Sequence, residues 1–357
     1  MLMLSWIFVV SVLAPFVSAE AAAYKDAAFI EFFRRTNGIV ACDGASSVPL
    51  SDGRVLWFFG DSYVDCYRDG TVPCLFQVRN VAMVHHKDDL QHVRPLLGKH
   101  GKSLFKNATN DETWFWPESG FQQSNSVYIY LINLKKAGSG PLGFAAIGRD
   151  YWGKMKFPEL DTIDYIPLPS FNGIDFGAGF VPESDGRTYA FGHKRRGISV
   201  NLYLARFRTA NPETNWTFWN GTDWSASVTN AAAITKQDAT SVQVCKVKDR
   251  FLITTSQFSV GCDQGKEIYV ATATAPTGPY SARKTIFTID DTYEGHYPFF
   301  YLPITHPEFI NPNDELLITY CINGYEPCAR SCVDGRMNPD HYRPRAIRVP
   351  LKLLFDQ

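Results

Sequence analysis

CDGASSVPLSDGRVLWFFGDSY, residues 42–63, reads as a strand, a polar turn at Ser51-Asp52-Gly53 and a second strand of aromatic and aliphatic residues. The same unit of polar turn and short apolar strand recurs as SNSVYIYLINL from Ser124, SDGRTYAFGHK from Ser184, KDRFLITTSQ from Lys248 and NDELLITYCIN from Asn313. Successive starts lie 73, 60, 64 and 65 residues apart. Strand-like units repeated at that spacing are the sequence form of radially repeated four-stranded sheets, and they predict an all-β, five-bladed β-propeller. Function is then expected in the central funnel.

Each unit is preceded by an expected inner strand: ACDGASSVPL, TWFWPESGFQ, DFGAGFVPE, ATSVQVCKV and THPEFI. Each is followed by an expected outer strand: RNVAMVHH, LGFAAIGR, NLYLARFR, EIYVATATA and RAIRVPL. Residues 24–40 precede the first repeat and are expected to add an outer strand to the last blade. NPETNWTFWNGTDW reads as an outer-edge loop with three tryptophans, suited to packing between blades or to binding sugar.

Composition narrows the function classes. A formal net charge of −1 argues against a broad basic face for nucleic acid or an anionic membrane. The one cationic knot is His193, Lys194, Arg195 and Arg196. MLMLSWIFVVSVLAPFVSA, residues 1–19, is an apolar run ending in the small residues Val17-Ser18-Ala19 and reads as a signal peptide, leaving one domain over 24–357 and an extracellular location. Eight cysteines in an exported chain favour disulfides over metal thiolates. Proximity in sequence favours Cys66 with Cys74, and a staple between two of Cys321, Cys328 and Cys332. Acceptor sequons start at Asn107, Asn215 and Asn220. No cofactor is expected, and no dedicated calcium loop is present to hold an ion on the axis.

Asp43 and Asp61 flank the first hairpin. The register that sets Leu50 opposite Arg54 also sets Asp43 opposite Asp61, on one face of the sheet. Directly opposed Cβ atoms lie about 4.5 to 5.5 Å apart, so the two carboxylates can share a site. Two such groups resist joint ionisation, which makes one a proton donor near neutral pH and leaves the other as nucleophile or base. Carboxyl groups about 5 to 5.5 Å apart suit a retaining glycosidase, and roughly 6.5 to 9.5 Å an inverting one. Either aspartate alone can instead cap backbone groups near a turn.

The same offset from the turn selects Trp116 in the second blade, Phe176 or Gly177 in the third, Ala239 or Thr240 in the fourth and His306 in the fifth. Trp116 is a candidate sugar platform, and His306 a candidate proton shuttle or hydroxyl partner. Glu118 and Asp175, within two residues of this ring, are candidate further carboxylates. Asn80 and Arg196, the latter expected nearly opposite Asp175, complete the candidate substrate-binding set. No Gly-x-Ser-x-Gly elbow, His-Glu-x-x-His or phosphate loop competes with this reading.

The block CDGASSVPLSDGRVLWFFGDSY resembles a family first catalogued as a domain of unknown function and linked to endo-D-arabinanase activity. That family is itself similar to the five-bladed glycosidases that include arabinanases, xylosidases and invertases. Val78-Arg79-Asn80, the Trp116-Pro117 pair and His306-Pro307-Glu308 followed by LLITYCIN extend the resemblance, whereas Gly44-Ala45 after the first aspartate departs from it. The resemblance implies Asp43 and Asp61 as the catalytic pair and a furanosidic polysaccharide as substrate. The rival expectation is a carbohydrate-binding or protein-interaction propeller without chemistry.

Overall fold

The structure, a computed structural model, describes residues 22–106, 112–138, 143–239, 241–259, 261–324 and 332–355. The proposed signal peptide, the sequon at Asn107, Thr240 and Cys328 lie outside the described residues.

All five repeats form antiparallel hairpins. Their second strands are Arg54–Phe59, Ser126–Lys136, Arg187–Arg196, Arg250–Ser256 and Glu315–Asn323, paired with Ser46–Pro49, Thr113–Gln123, Asp175–Pro182, Val242–Val247 and Phe299–His306. Each turn needs one left-handed residue to reverse the chain. Glycine fills that position at Gly53 and Gly186, and Ser124, Lys248 and Asp314 adopt it in the other three turns.

Third strands come from Val81–His86, Tyr151–Lys156, Ser199–Arg208, Glu267–Ala273 and Arg345–Pro350, giving five sheets of four to six strands. The second sheet departs from expectation. Within the described part of LGFAAIGR, residues 143–149, only Phe144–Ala146 is a strand, and Tyr151–Lys156 takes the third place. In the fifth sheet the first strand ends at His306, because Pro307 has no N–H to give a ladder and opens a 3-10 turn, Pro307–Phe309.

The near-continuous apolar run RVLWFF follows from burial on both faces. Leu56 and Phe58 pack with Phe115, Ile129 and Leu131 of the second sheet. The intervening Val55, Trp57 and Phe59 pack with Leu317 and Ala346 of the fifth sheet, under Phe29, Phe32 and Phe33 of the helix Ala27–Phe33. Similar apolar cores lie between the second and third, third and fourth, and fourth and fifth sheets. Trp216 of the tryptophan loop is buried in the core between the second and third sheets.

Three features join the ends of the chain. Tyr24–Lys25 pairs with Arg345–Pro350, as expected of the N-terminal segment. Asp26 caps the helix through the Phe29 N–H and accepts from Arg348 Nε at 2.6 Å. The third feature corrects the local cysteine pairing. Cys74 bonds to Cys332, 258 residues away, and Cys66 is a free thiol. The cause is strand pairing: Val72–Pro73 lies beside Arg336–Met337, which in turn pairs with Cys332–Val333 and brings the two Cα atoms to 5.5 Å. Cys321 is buried and unbridged.

Candidate active site

Strand register delivers the two aspartates to one place. Pairing runs from Pro49 with Val55 to Ser46 with Phe58, breaks at Gly44 and Ala45, and resumes with Cys42 opposite Ser62. Both break residues are left-handed, at φ 94° and 57°. Within the break Asp43 N–H donates to Asp61 O at 3.3 Å and Gly60 N–H donates to Asp43 O at 2.9 Å, so the two aspartates are register partners. Gly60 is required here: a Cβ would collide with Asp43 Oδ1, which lies where that side chain would go, beside the Trp116 ring.

The two carboxylates have different partners. Tyr301 and Tyr342 hydroxyls donate to Asp43 Oδ2 at 2.9 and 2.8 Å. Trp116 Nε1 donates to Asp61 Oδ1 at 3.2 Å, and Arg79 Nη1 reaches Asp61 Oδ2 at 3.3 Å. The Arg79 guanidinium lies over the rings of Phe76, at 4.7 Å, and Trp114, at 4.1 Å, which fixes its direction. Burial pushes Asp43 up to about 6 against the two tyrosine hydroxyls. Burial and the Asp43 charge push Asp61 up to about 7, opposed by Arg79 and Trp116. Asp61 is 8% exposed, while Asp43 and Trp116 are partly exposed. The pair is two partly buried carboxyl groups of raised pKa beside an aromatic wall.

Arg79, Tyr301 and Tyr342 were not among the sequence candidates. Arg79 lies inside Val78-Arg79-Asn80, next to the candidate Asn80. Tyr342 arrives from a loop with no local signal.

A second polar cluster lies along the strand that carries Trp116. Glu118, two residues on and at a shift of register between Pro117 and Gly120, approaches Asp175 and His193, and one ligand atom from each lies within 4.8 Å of the others. Asp175 and His193 are register partners in the third sheet. Gly177 makes room, since a Cβ there would overlap the Glu118 carboxyl. Burial and the charges of Asp175 and Asp150 hold Glu118 well above the usual carboxylate range, and burial raises Asp175 to about 6. Asp150, which accepts from Tyr130 at 2.7 Å, is raised to about 6 by burial and by Asp175. Burial and Arg195 hold His193 down to about 4.

Three sequence candidates sit elsewhere than expected. His306 is 0% exposed, with Nδ1 on Ser47 Oγ at 2.6 Å and Nε2 on Thr319 Oγ1 at 2.8 Å, and burial holds its pKa down to about 3. Ser47 also donates to Glu308. The closed set links the first and fifth sheets, out of reach of a substrate. Asn80, also 0% exposed, donates to the carbonyls of Phe105 and Phe115 and accepts from Phe105 N–H at 2.7 Å, so it clasps backbone. Arg196 is exposed at the tip of its hairpin opposite Ser199, and His193 takes the place opposite Asp175. Two surface clefts, of about 310 and 460 Å³, border the turn-side residues Arg187 and Arg208 and Leu50 and Gln122, at the far ends of the strands from the aspartates.

The chain belongs to the family described as Domain of unknown function (DUF5005), whose model matches residues 26–351. No curated protein matches the sequence. Among solved structures, the chain is similar to a candidate hydrolase from Bacteroides ovatus, at 17% identity and a TM-score of 0.75, over 92% of this chain and 90% of that one. It is also similar to a xylan beta-1,4-xylosidase from Bacillus halodurans, at 14% identity and a TM-score of 0.50, over 88% of this chain and 53% of that one. An exo-beta-1,3-galactanase from Phanerochaete chrysosporium, solved with galactose, is 11% identical with a TM-score of 0.50, over 89% of this chain and 63% of that one. The chain spans little more than half of the xylosidase. At these identities the likeness speaks to the all-β, propeller-like fold.

Proposed function

We propose that this member of the DUF5005 family is a glycoside hydrolase in which Asp43 and Asp61 act as a catalytic carboxyl pair. The observation that carries the reading is their placement as register partners beside the partly exposed Trp116, both with raised pKa. The fold it shares with a xylosidase and a galactanase supports the same reaction class. Asp61 is the proton donor, because burial and the neighbouring charge keep it protonated to the higher pH. Asp43 is the base or nucleophile, its charge sustained by Tyr301 and Tyr342.

Trp116 supplies an indole face for a sugar ring while its N–H holds Asp61 in place. An arabinan-like furanosidic polysaccharide is the proposed substrate, resting on the resemblance of residues 42–63. The five sheets are proposed as the five blades of a closed propeller. Apolar cores between each successive pair, and between the fifth sheet and the first, support that count. Secretion is proposed from the apolar N-terminal run, and the Cys74–Cys332 disulfide suits an oxidising compartment.

The test is release of reducing ends from a panel of arabinans, galactans and fructans by the wild type, Asp43→Asn and Asp61→Asn. Activity on one polymer that both variants lose is the expected result. The roles separate on an aryl glycoside with a good leaving group, which needs no acid: Asp61→Asn should retain turnover there and Asp43→Asn should not. Glycan binding without turnover by the wild type would replace the enzyme with a binding propeller.

A further inference from the structure

We propose that Glu118, Asp175 and His193 form a binding site for one divalent transition-metal cation, zinc or manganese, between the second and third sheets. The inference is independent of the glycosidase reading, because it concerns binding and not turnover.

Three strands of two sheets bring the donors together: Thr113–Gln123, Asp175–Pro182 and Arg187–Arg196. Ligands on a common ion with bonds of about 2.0 to 2.2 Å are separated by no more than about 4.4 Å. Donor atoms already within 4.8 Å of one another therefore need only a small side-chain adjustment to close on an ion. The strands are held in that relation by pairing of Asp175 with His193 and by donation from Ser119 Oγ to Gly177 O at 2.6 Å. Gly177 leaves unfilled the volume that Glu118 occupies.

A second observation points to a ligand. Among the described residues, Nδ1 of His193 is buried and has no hydrogen-bond partner. Buried polar atoms are ordinarily satisfied, and a ring nitrogen without a partner in a group that includes two carboxylates is what a metal ligand looks like before the metal binds.

The donor set selects the metal. Calcium and magnesium take oxygen ligands, whereas one imidazole with two carboxylates suits zinc or manganese. Three protein ligands leave a coordination position open, as in catalytic and not in structural zinc sites. All three residues are partly exposed, so that position is accessible to water or a ligand oxygen.

The experiment is calorimetric titration of chelator-treated full-length protein with zinc, manganese, magnesium and calcium chlorides. One equivalent of zinc or manganese should bind, and His193→Ala and Glu118→Gln should each weaken binding by roughly 100-fold. No binding of either ion, binding of calcium or magnesium alone, or unchanged affinity in His193→Ala would overturn the proposal. Circular dichroism melting checks that the variants fold. If they do not, anomalous diffraction from zinc-soaked wild-type crystals decides: a peak within bonding distance of all three residues supports the site, and its absence there refutes it.

Discussion

Asp43 and His306 occupy matched places in the sequence pattern, each before a polar turn in the first strand of its hairpin, yet they meet opposite fates. Asp43 sits in a break between strands, partly exposed, with hydroxyl donors on one oxygen. His306 lies in an unbroken stretch of ladder opposite Leu317, fully enclosed, with both nitrogens bonded to protein. The difference lies in the connection. The 3-10 turn Pro307–Phe309 lengthens the fifth hairpin, so His306 falls close to the turn, and a bulge after Tyr301 brings that residue to Asp43 instead. Equal spacing from a turn signal is not equal depth along the strand when the turns differ in length.

The comparison predicts that chemistry and stability separate between the two regions. Asp43→Asn should lower kcat at least about 10³-fold, equivalent to about 4 kcal/mol of barrier, while the denaturant midpoint stays level or rises. A Tm loss matching the loss of activity would mean that Asp43 belongs with His306 as a structural group. His306→Ala should do the reverse. Removing the ring leaves Ser47 and Thr319 short of a partner and opens a cavity, at a cost of about 3 kcal/mol in urea unfolding. Michaelis parameters measured on the fraction that remains folded should be near those of wild type.

Trp116→Phe sharpens the contrast within the mouth, since it keeps a ring and removes the N–H. We expect a drop in kcat/KM of about tenfold, or ~1.4 kcal/mol. Because that N–H favours the Asp61 carboxylate, its loss should raise the Asp61 pKa and move the alkaline limb of the pH–rate profile upward. On the proposed assignment, activity needs Asp43 ionised and Asp61 protonated, so in the wild type it should peak between about pH 6 and 7. An optimum below pH 5 would contradict the assignment.

The smallest effect is on stability against pH. Both carboxyl groups have folded pKa values raised above 3.8, so the folded state favours their protonated forms. Their contribution is fully present below pH 3.8 and is lost as pH rises to about 7. The Asp43→Asn, Asp61→Asn double variant should therefore lose less stability than wild type across that window, measured by urea midpoints at fixed salt.

The aspartate pair was legible because a two-residue period carries register across a short hairpin without further information. Gly44 and Ala45, which looked like a departure from the family block, are the left-handed break that frees Asp43 from the ladder. Trp116, Glu118 and Asp175 were legible by their offset from the turn, but shifts of register in both hairpins put His193, and not Arg196, opposite Asp175. The partners that tune the pair were not. Tyr342 is 299 residues from Asp43, and Tyr301 reaches it only through a bulge that no local residue pattern announces.

Sequence alone determined the five hairpins, their turns and the register of the first, because these depend on alternation and on residues a few positions apart. It marked two aspartates as opposed. Tertiary structure decided which polar groups are partly exposed and which are sealed, how Cys74 finds Cys332, and which hydroxyls and cations set the acidity of each carboxyl. Those outcomes depend on how neighbouring sheets abut and on the depth of burial, and such quantities arise only when segments hundreds of residues apart are packed together.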